Sequence, residues 1–333
     1  MKRKGFIEKS PVSAGYTMAG KGMGHASETA AGELGGNYHS KNPARLQQRT
    51  YGKTDVKLSI IGFGGIVVDG AEQQHANRVV AEAFEKGVNY FDVSPTYGDA
   101  ELKLGLALKP YRKEVFLACK TGQRGREGAS EELNESLKRL HTDYLDLYQL
   151  HSITDVKDDV DAVFAEGGAM EVLLEAKKQG RIRYLGFSAH SEQAALAAMD
   201  RYDFDSILLP INFAAVYRGD FGPRVIAAAE SRGMAILALK SLARQKWPED
   251  DSSQKQYPKC WYQPLTERED ARLALYFTLS QPITAAIPPG EESLFRMALD
   301  LAMNFKPISR QDLEKVKQMA ESLNPIFQER TEL

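Results

Sequence analysis

Four polar side chains, Asp92, Tyr97, Lys120 and His151, stand at or just past the ends of short apolar runs. The runs are Val88-Asn89-Tyr90-Phe91, Val115-Phe116-Leu117-Ala118 and Leu145-Asp146-Leu147-Tyr148-Gln149-Leu150. They have strand composition and are separated by helix-like segments. In a parallel sheet all strand termini of one sense face the same side, so groups scattered along the chain converge there. The types suit proton transfer to a carbonyl oxygen. An ammonium close to a phenol lowers a pKa that starts near ~10, a carboxylate keeps the ammonium charged, and an imidazole orients the oxygen or relays the proton. Lys120 is the sharpest of the four, because a lysine closing an apolar strand needs an anionic partner.

The elements that must position these groups follow a regular order. Ser59 to Gly64 reads as a first barrel strand, and further strands are predicted near residues 88–92, 115–119, 145–150, 182–187, 206–210, 234–239 and 283–287. Helices are predicted at His75–Lys86, Asp99–Leu108, Ser130–Leu140, Met170–Gln179, Ser191–Arg201, Pro223–Arg232, Thr266–Leu279 and Glu292–Met303. Gly87, Gly180 and Gly233 serve as stops. Eight strand–helix alternations predict an α/β fold of the (β/α)8 TIM-barrel type. Tyr51 to Leu58 reads as an N-terminal β-hairpin closing the barrel's bottom, and Ser309 to Leu323 as an extra helix outside it. The glycine run Gly62-Phe63-Gly64 is no dinucleotide-binding loop, since Val67 replaces the third glycine and no helix follows.

Phe91-Asp92-Val93-Ser94-Pro95-Thr96-Tyr97-Gly98, Ala118-Cys119-Lys120-Thr121 and Gln149-Leu150-His151 resemble the Asp, Tyr, Lys and His motifs of the aldo-keto reductases, in that family's order. The likeness runs from about Arg49 to the mid-320s and includes Gly180-Arg181-Ile182-Arg183-Tyr184-Leu185-Gly186-Phe187-Ser188. It is nearest to the bacterial branch similar to potassium-channel β-subunits. The resemblance implies NAD(P)(H)-dependent reduction of an aldehyde or ketone, a sugar-derived one among the candidates, or the reverse, with Tyr97 as general acid/base. The alternative it carries is a cofactor-binding regulatory subunit or redox sensor with slow turnover.

The same resemblance implies a nicotinamide cofactor extended across the barrel's top. Ser188 matches the serine that hydrogen-bonds the carboxamide, but Ala189 stands where an asparagine is usual. Pro210 replaces a frequent glutamine, leaving Asn212 as the nearby amide, and Leu239 stands where an aromatic often stacks. Lys240, Ser241 and Leu242 are placed to cradle the pyrophosphate, with Arg244 near. After the eighth strand come Gly290, Glu291, Glu292 and Arg296. Two carboxylates there repel a 2′-phosphate and suit a free 2′-hydroxyl, which tilts the expectation toward NAD(H).

The segment Ala243 to Gln263 carries Trp247, Tyr257, Trp261 and Tyr262, as a lid over cofactor or a sugar-like substrate would. His190 follows Ser188 closely and either caps the next helix or faces the top. At 333 residues and 43% hydrophobic content, the chain can fill one such barrel. Lys+Arg 43 against Asp+Glu 45, a net charge of -2, gives no electrostatic case for nucleic acid or an anionic membrane. The expected partner is a small carbonyl or alcohol, with the oligomeric state left open. Cys119 and Cys260 make no disulfide framework and lack metal-ligand spacing. Cys119 is expected to pack in the core, pointing away from Lys120.

Residues 1–45 are rich in Gly, Ser, Ala, Met and Lys and read as a tail before a barrel domain spanning 46–333. Arg3-Lys4-Gly5-Phe6-Ile7-Glu8-Lys9 resembles a degenerate twin-arginine signal, with lysine in the second arginine's place and Lys21 breaking a weakly apolar stretch. A cytoplasmic location is therefore expected, with export as the alternative. No run approaches the ~20 apolar residues of a membrane-spanning helix.

Overall fold

The computed structural model describes residues 45–329. The expected tail and its twin-arginine-like start lie outside them, Arg45 excepted. A hairpin of β1 (Gln48–Thr50) and β2 (Lys57–Ser59) opens the described chain, with Gln48 opposite Ser59. The barrel strands are β3 (Phe63–Gly64), β4 (Tyr90–Asp92), β5 (Phe116–Thr121), β6 (Leu145–Ile153), β7 (Ile182–Ala189), β8 (Ser206–Pro210) and β9 (Ala235–Leu239). A small hairpin of β10 (Ala243–Gln245) and β11 (Gln263–Pro264) then precedes the last barrel strand, β12 (Ala285–Ile287). Each barrel strand runs parallel to the next in order. A parallel bridge between Ile61 and Ala286 closes the ring.

Helices on the outside are α1 (Gln73–Glu85), α2 (Ala100–Leu108), α3 (Arg126–Arg139), α4 (Ala162–Phe164), α5 (Ala169–Lys178), α6 (Glu192–Arg201), α7 (Phe213–Tyr217), α8 (Pro223–Ser231), α9 (Arg268–Leu279), α10 (Glu292–Ala302) and α11 (Arg310–Ala320). The (β/α)8 expectation is met, with α11 as the extra helix. The short α4 and α7 were not signalled by any apolar period. Among the described residues, no helix is long and apolar enough to cross a membrane.

Strand alternation divides the core into two layers. Tyr90, Ala118, Leu147, Leu208 and Leu237 fill the barrel's interior. Phe91, Cys119, Tyr148 and Leu150 face outward against the helices. Cys119 thus points away from Lys120 as expected, a buried free thiol donating to Glu101 Oε1 at 3.4 Å. The same parity puts Asp92, Lys120, Gln149 and His151 on the inner side.

The hairpin differs from the sequence reading in register. It begins three residues before the expected segment and ends one after it, with β2 starting inside that segment at Lys57, and residues 51–56 make the turn, closed by Tyr51 N donating to Val56 O at 2.8 Å. Gly52 takes φ +54, where an added Cβ would meet Ala235 N and Gly233 O at 3.0 Å. Tyr51 is driven into the barrel's bottom, fully buried, with its ring 5.0 Å from Phe116 and 5.3 Å from Tyr184. Tyr51→Ala is expected to cost about 3–5 kcal/mol by leaving a cavity there. Urea denaturation checks this.

Candidate active site

Lys120, the last residue but one of β5, is among the largest wholly buried side chains, and Asp92 ends β4 at 2% exposure. Parallel pairing sets Asp92 opposite Ala118, so Lys120, two residues on, lies on the same inner face. Its Nζ donates to the Asp92 carboxylate and, at 3.0 Å, to Val93 O. Tyr90 hydroxyl donates to the other Asp92 oxygen at 3.3 Å. Burial alone would pull the Lys120 pKa down, but the charge and hydrogen bond of Asp92, with Tyr97 beside it, outweigh burial and hold the ammonium above its usual value.

Tyr97 stands in the turn between β4 and α2. Its N–H donates to Ser94 O at 3.1 Å and its own carbonyl accepts from Ala100 N at 2.9 Å. The turn is tied to the loop after β3 in both directions. Asp99 N donates to Asp69 Oδ1 at 3.0 Å, and Gly70 N donates to Asp99 Oδ1 at 2.8 Å. Gly98 takes φ +53, a conformation strained for other residues, and an added Cβ would displace the Asp69 carboxylate, whose Oδ1 would lie 2.0 Å away. Lys120 Nζ sits 5.4 Å from the Tyr97 ring centroid, and the His151 ring lies edge-on to it at 6.1 Å.

The expected fall in the Tyr97 pKa is not what the site produces. Burial raises it above 10.0, and Lys120 offsets only part of that rise. Tyr97 is therefore a protonated phenol at neutral pH. Burial, and then the charges of Lys120, Arg124 and Lys240, lower His151 from 6.5 to about 3. Its imidazole is accordingly neutral, with Nδ1 3.2 Å from Ser94 Oγ.

Beside His151 the strand end is bent. Ser152 adopts φ 56, its N–H donates to Ser188 Oγ at 2.7 Å, and its hydroxyl lies 3.0 Å from His190 Nδ1. Arg124 Nη2 donates to His151 O at 2.7 Å, while its Nε pairs with Asp159 Oδ1 at 2.8 Å. Gln149, one inner position below His151, is fully buried with neither amide atom hydrogen-bonded among the described residues. Sequence reasoning did not single out Ser94, Arg124 or Gln149 as site residues. Gln149 alone carried a signal, a polar residue at an inward place in β6.

The residues expected to hold a cofactor separate into two groups. Ser188, Asn212, Lys240, Ser241 and Leu242 lie at or after the ends of β7, β8 and β9, on the rim that also holds His151. Asn212 caps α7 by accepting from Ala215 N at 2.9 Å, and its Nδ2, like Ser241 Oγ, is buried with no partner among the described residues. Ser188 Oγ accepts from Ser152, keeping its own proton to donate. Lys240, at φ 65, has Nζ 4.9 Å from the Trp261 ring and 5.6 Å from Tyr262, and burial lowers its pKa to about 8. Leu239 is half-buried beside the interior layer, as a strand residue would be.

In the other group, protein partners already engage the charges. Glu292 meets His75 Nε2 at 2.6 Å and Arg296 Nε at 2.8 Å, and Arg296 also pairs with Glu82. Glu291 Oε1 accepts from Lys259 N at 2.6 Å. Gly290 allows a close approach, since a Cβ would fall 2.4 Å from Ile66 Cγ2. Lys259, which the sequence did not mark, also donates through Nζ to Val67 O at 3.0 Å and Asp69 O at 2.8 Å.

A sequence model of the Aldo/keto reductase family matches residues 60–286, about two-thirds of the chain. The chain belongs to the aldo/keto reductase family. It is 26% identical over 306 residues to an uncharacterized oxidoreductase, YqkF, of Bacillus subtilis, covering 82% of this chain and 96% of that one. An L-galactose dehydrogenase of Arabidopsis thaliana is 32% identical over 216 residues, 60% of this chain and 66% of the relative. The holo form of an aldo-keto reductase from Bacillus halodurans superposes with a TM-score of 0.66 at 23% identity, covering 85% of this chain and 99% of that one. That last likeness is one of fold.

In this oxidoreductase the neutral state of His151 has a measurable consequence. Only the unfolded chain takes up a proton near pH ~6.5, so the stability His151 contributes is present above that pH. It fades as the pH falls from there toward the folded value of about 3. The His151 ring resonances should stay at their neutral positions from about pH 8 to about pH 5. Titration of the imidazole by NMR within that window would contradict the geometry.

Proposed function

We propose that the protein is an NAD(P)(H)-dependent reductase interconverting an aldehyde or ketone with an alcohol, with Tyr97 as the proton donor. The convergence of Tyr97, Lys120, Asp92 and His151 above one barrel end carries the reading. When bound, the nicotinamide cofactor supplies or accepts the hydride. Tyr97, held protonated by burial, passes its proton to the carbonyl oxygen as negative charge develops there. A nascent alkoxide is a far stronger base than a phenolate, so a high phenol pKa does not prevent the transfer. Lys120, fixed by Asp92, stabilises the phenolate left behind, and neutral His151 orients the carbonyl oxygen without competing for the proton.

Orphaned buried atoms support the cofactor assignment. Asn212 Nδ2 and Ser241 Oγ lack partners, and Lys240 is a cation with no carboxylate in pairing distance among the described residues. These donors suit an amide and a pyrophosphate, with Ser188 adding a hydroxyl. The lean toward NAD(H) is supported differently from the way the sequence suggested. Glu82 and Glu292 neutralise Arg296, and backbone carbonyls hold Lys259, so neither basic group stands free for a 2′-phosphate.

Tyr97→Phe should abolish carbonyl reduction, a loss of about 10²-fold or more, while cofactor affinity stays nearly intact. Retention of most activity would remove Tyr97 from the donor role. Lys120→Met should slow the reaction and also displace the pH profile, because the phenolate loses its neighbouring charge. A profile identical to the parent enzyme's would count against that role. Fluorescence titration with NADH and NADPH is expected to show tighter binding of NADH. Tighter NADPH binding would reverse the assignment of the loop after β12.

A further inference from the structure

A second histidine on the barrel's top takes no part in the proton transfer. His190 follows β7, with Nδ1 3.0 Å from Ser152 Oγ and its ring 5.0 Å from Phe327. It is not spent as a helix cap. Ser191 caps α6 by accepting from Ala194 N at 3.2 Å. Burial and the charge of Lys240 keep the His190 ring neutral, with a pKa lowered to about 4. With Nδ1 engaged, Nε2 has no hydrogen-bond partner among the described residues.

An aromatic ring, Phe327, packs against the His190 imidazole. Trp261 is 58% exposed, an uncommon place for so large an apolar ring, and lies edge-on to Phe327 at 6.1 Å. Phe327 is held over the rim by the chain's last described turn, where Glu329 N donates to Gly219 O at 2.7 Å. Lys240 links the two sides, lying over Trp261 and within electrostatic reach of both His151 and His190. The carbonyl-orienting imidazole, the spare imidazole and the indole thus belong to one rim.

We propose that His190 is a specificity-determining residue, whose Nε2 hydrogen-bonds a hydroxyl beside the reacting carbonyl while Trp261 and Phe327 cover the ligand's C–H face. This rests on the reductase reading above and names its substrate class as polyhydroxylated carbonyl compounds. A hydroxyl both donates and accepts, so it satisfies the imidazole in either tautomer. An alkyl carbonyl would shut Nε2 away unpaired, which penalises binding. Aromatic rings present an apolar face with a wet edge, matching a ligand whose faces are C–H and whose rim is hydroxyl.

Glyceraldehyde and propanal differ by hydroxyl groups alone. Their kcat/KM ratio, measured with the better cofactor, is therefore the readout. The parent enzyme is expected to favour glyceraldehyde, and His190→Phe to reduce that ratio by about tenfold or more, whatever happens to absolute rates. Trp261→Ala, at an exposed position where folding is not at stake, should also reduce it, by raising KM for glyceraldehyde. An unchanged ratio in His190→Phe overturns the assignment, and if that variant does not fold, an unchanged ratio in Trp261→Ala does so. Reduction of both aldehydes without preference by the parent enzyme ends this inference and leaves the reductase reading standing. Reduction of neither ends both.

Discussion

A lysine ammonium enclosed within a ring of strands is the constraint on which the rest of the site depends. Such a group is tolerated in low dielectric only when a counter-charge and hydrogen bonds meet it there. The Asp92 carboxylate and Val93 O meet Lys120 from the adjacent strand and its exit. Both require β4 and β5 to be neighbours, parallel and in the observed register, because a shift by one residue would turn Asp92 out toward the helices. Tyr97 and His151 are then arranged around a charge whose position the sheet has already decided.

That charge also explains the state of the other groups. Lys120, Arg124 and Lys240 all act on His151, and together with burial they deny it a proton. A neutral imidazole can orient an oxygen while leaving acid chemistry to the phenol. Burial works on Tyr97 in the opposite sense to Lys120 and wins, so the phenol keeps its proton. A positively biased rim with one internally balanced carboxylate favours an anionic ligand over a cationic one.

The barrel and the polar residues at or just past its strand ends were legible in the sequence because each depends on local pattern. Apolar runs ending in a single polar residue mark a strand and its polar terminus together, as at Phe91-Asp92 and Cys119-Lys120. What escaped depends on contacts between distant segments. Lys259 reaches carbonyls of Val67 and Asp69, nearly two hundred residues earlier, and Arg124 grips the backbone of His151 across the β5–β6 connection. Nothing in their own neighbourhoods marks them. The hairpin was legible but drawn too short, because Tyr51 looks like a strand residue yet serves as the plug, with Gly52 turning the chain behind it. The direction of the Tyr97 shift escaped for a related reason, since burial cannot be read from a residue's neighbours in sequence.

The ring is thinnest where its ends meet. β3 has only two residues, and its link to β12 runs through Ile61 and Ala286, with Gly62 N donating to Ala286 O and Ala286 N to Ile60 O, each at 2.9 Å. Side chains of α1 and its C-terminal cap meet α10 across that seam in three places, His75 to Glu292, Glu82 to Arg296 and Lys86 to Asp300. Exposed pairs of this kind contribute little individually. Lys259 adds a tie above them, joining the loop after β3 to Glu291. Glu291, Glu292 and Arg296, which in sequence looked like a cofactor-discriminating set, are therefore first of all the fastening of the barrel. Any selectivity between cofactors at this loop must operate through charges already committed to holding the first and eighth units together. Altering those charges to change cofactor preference would disturb the closure as well.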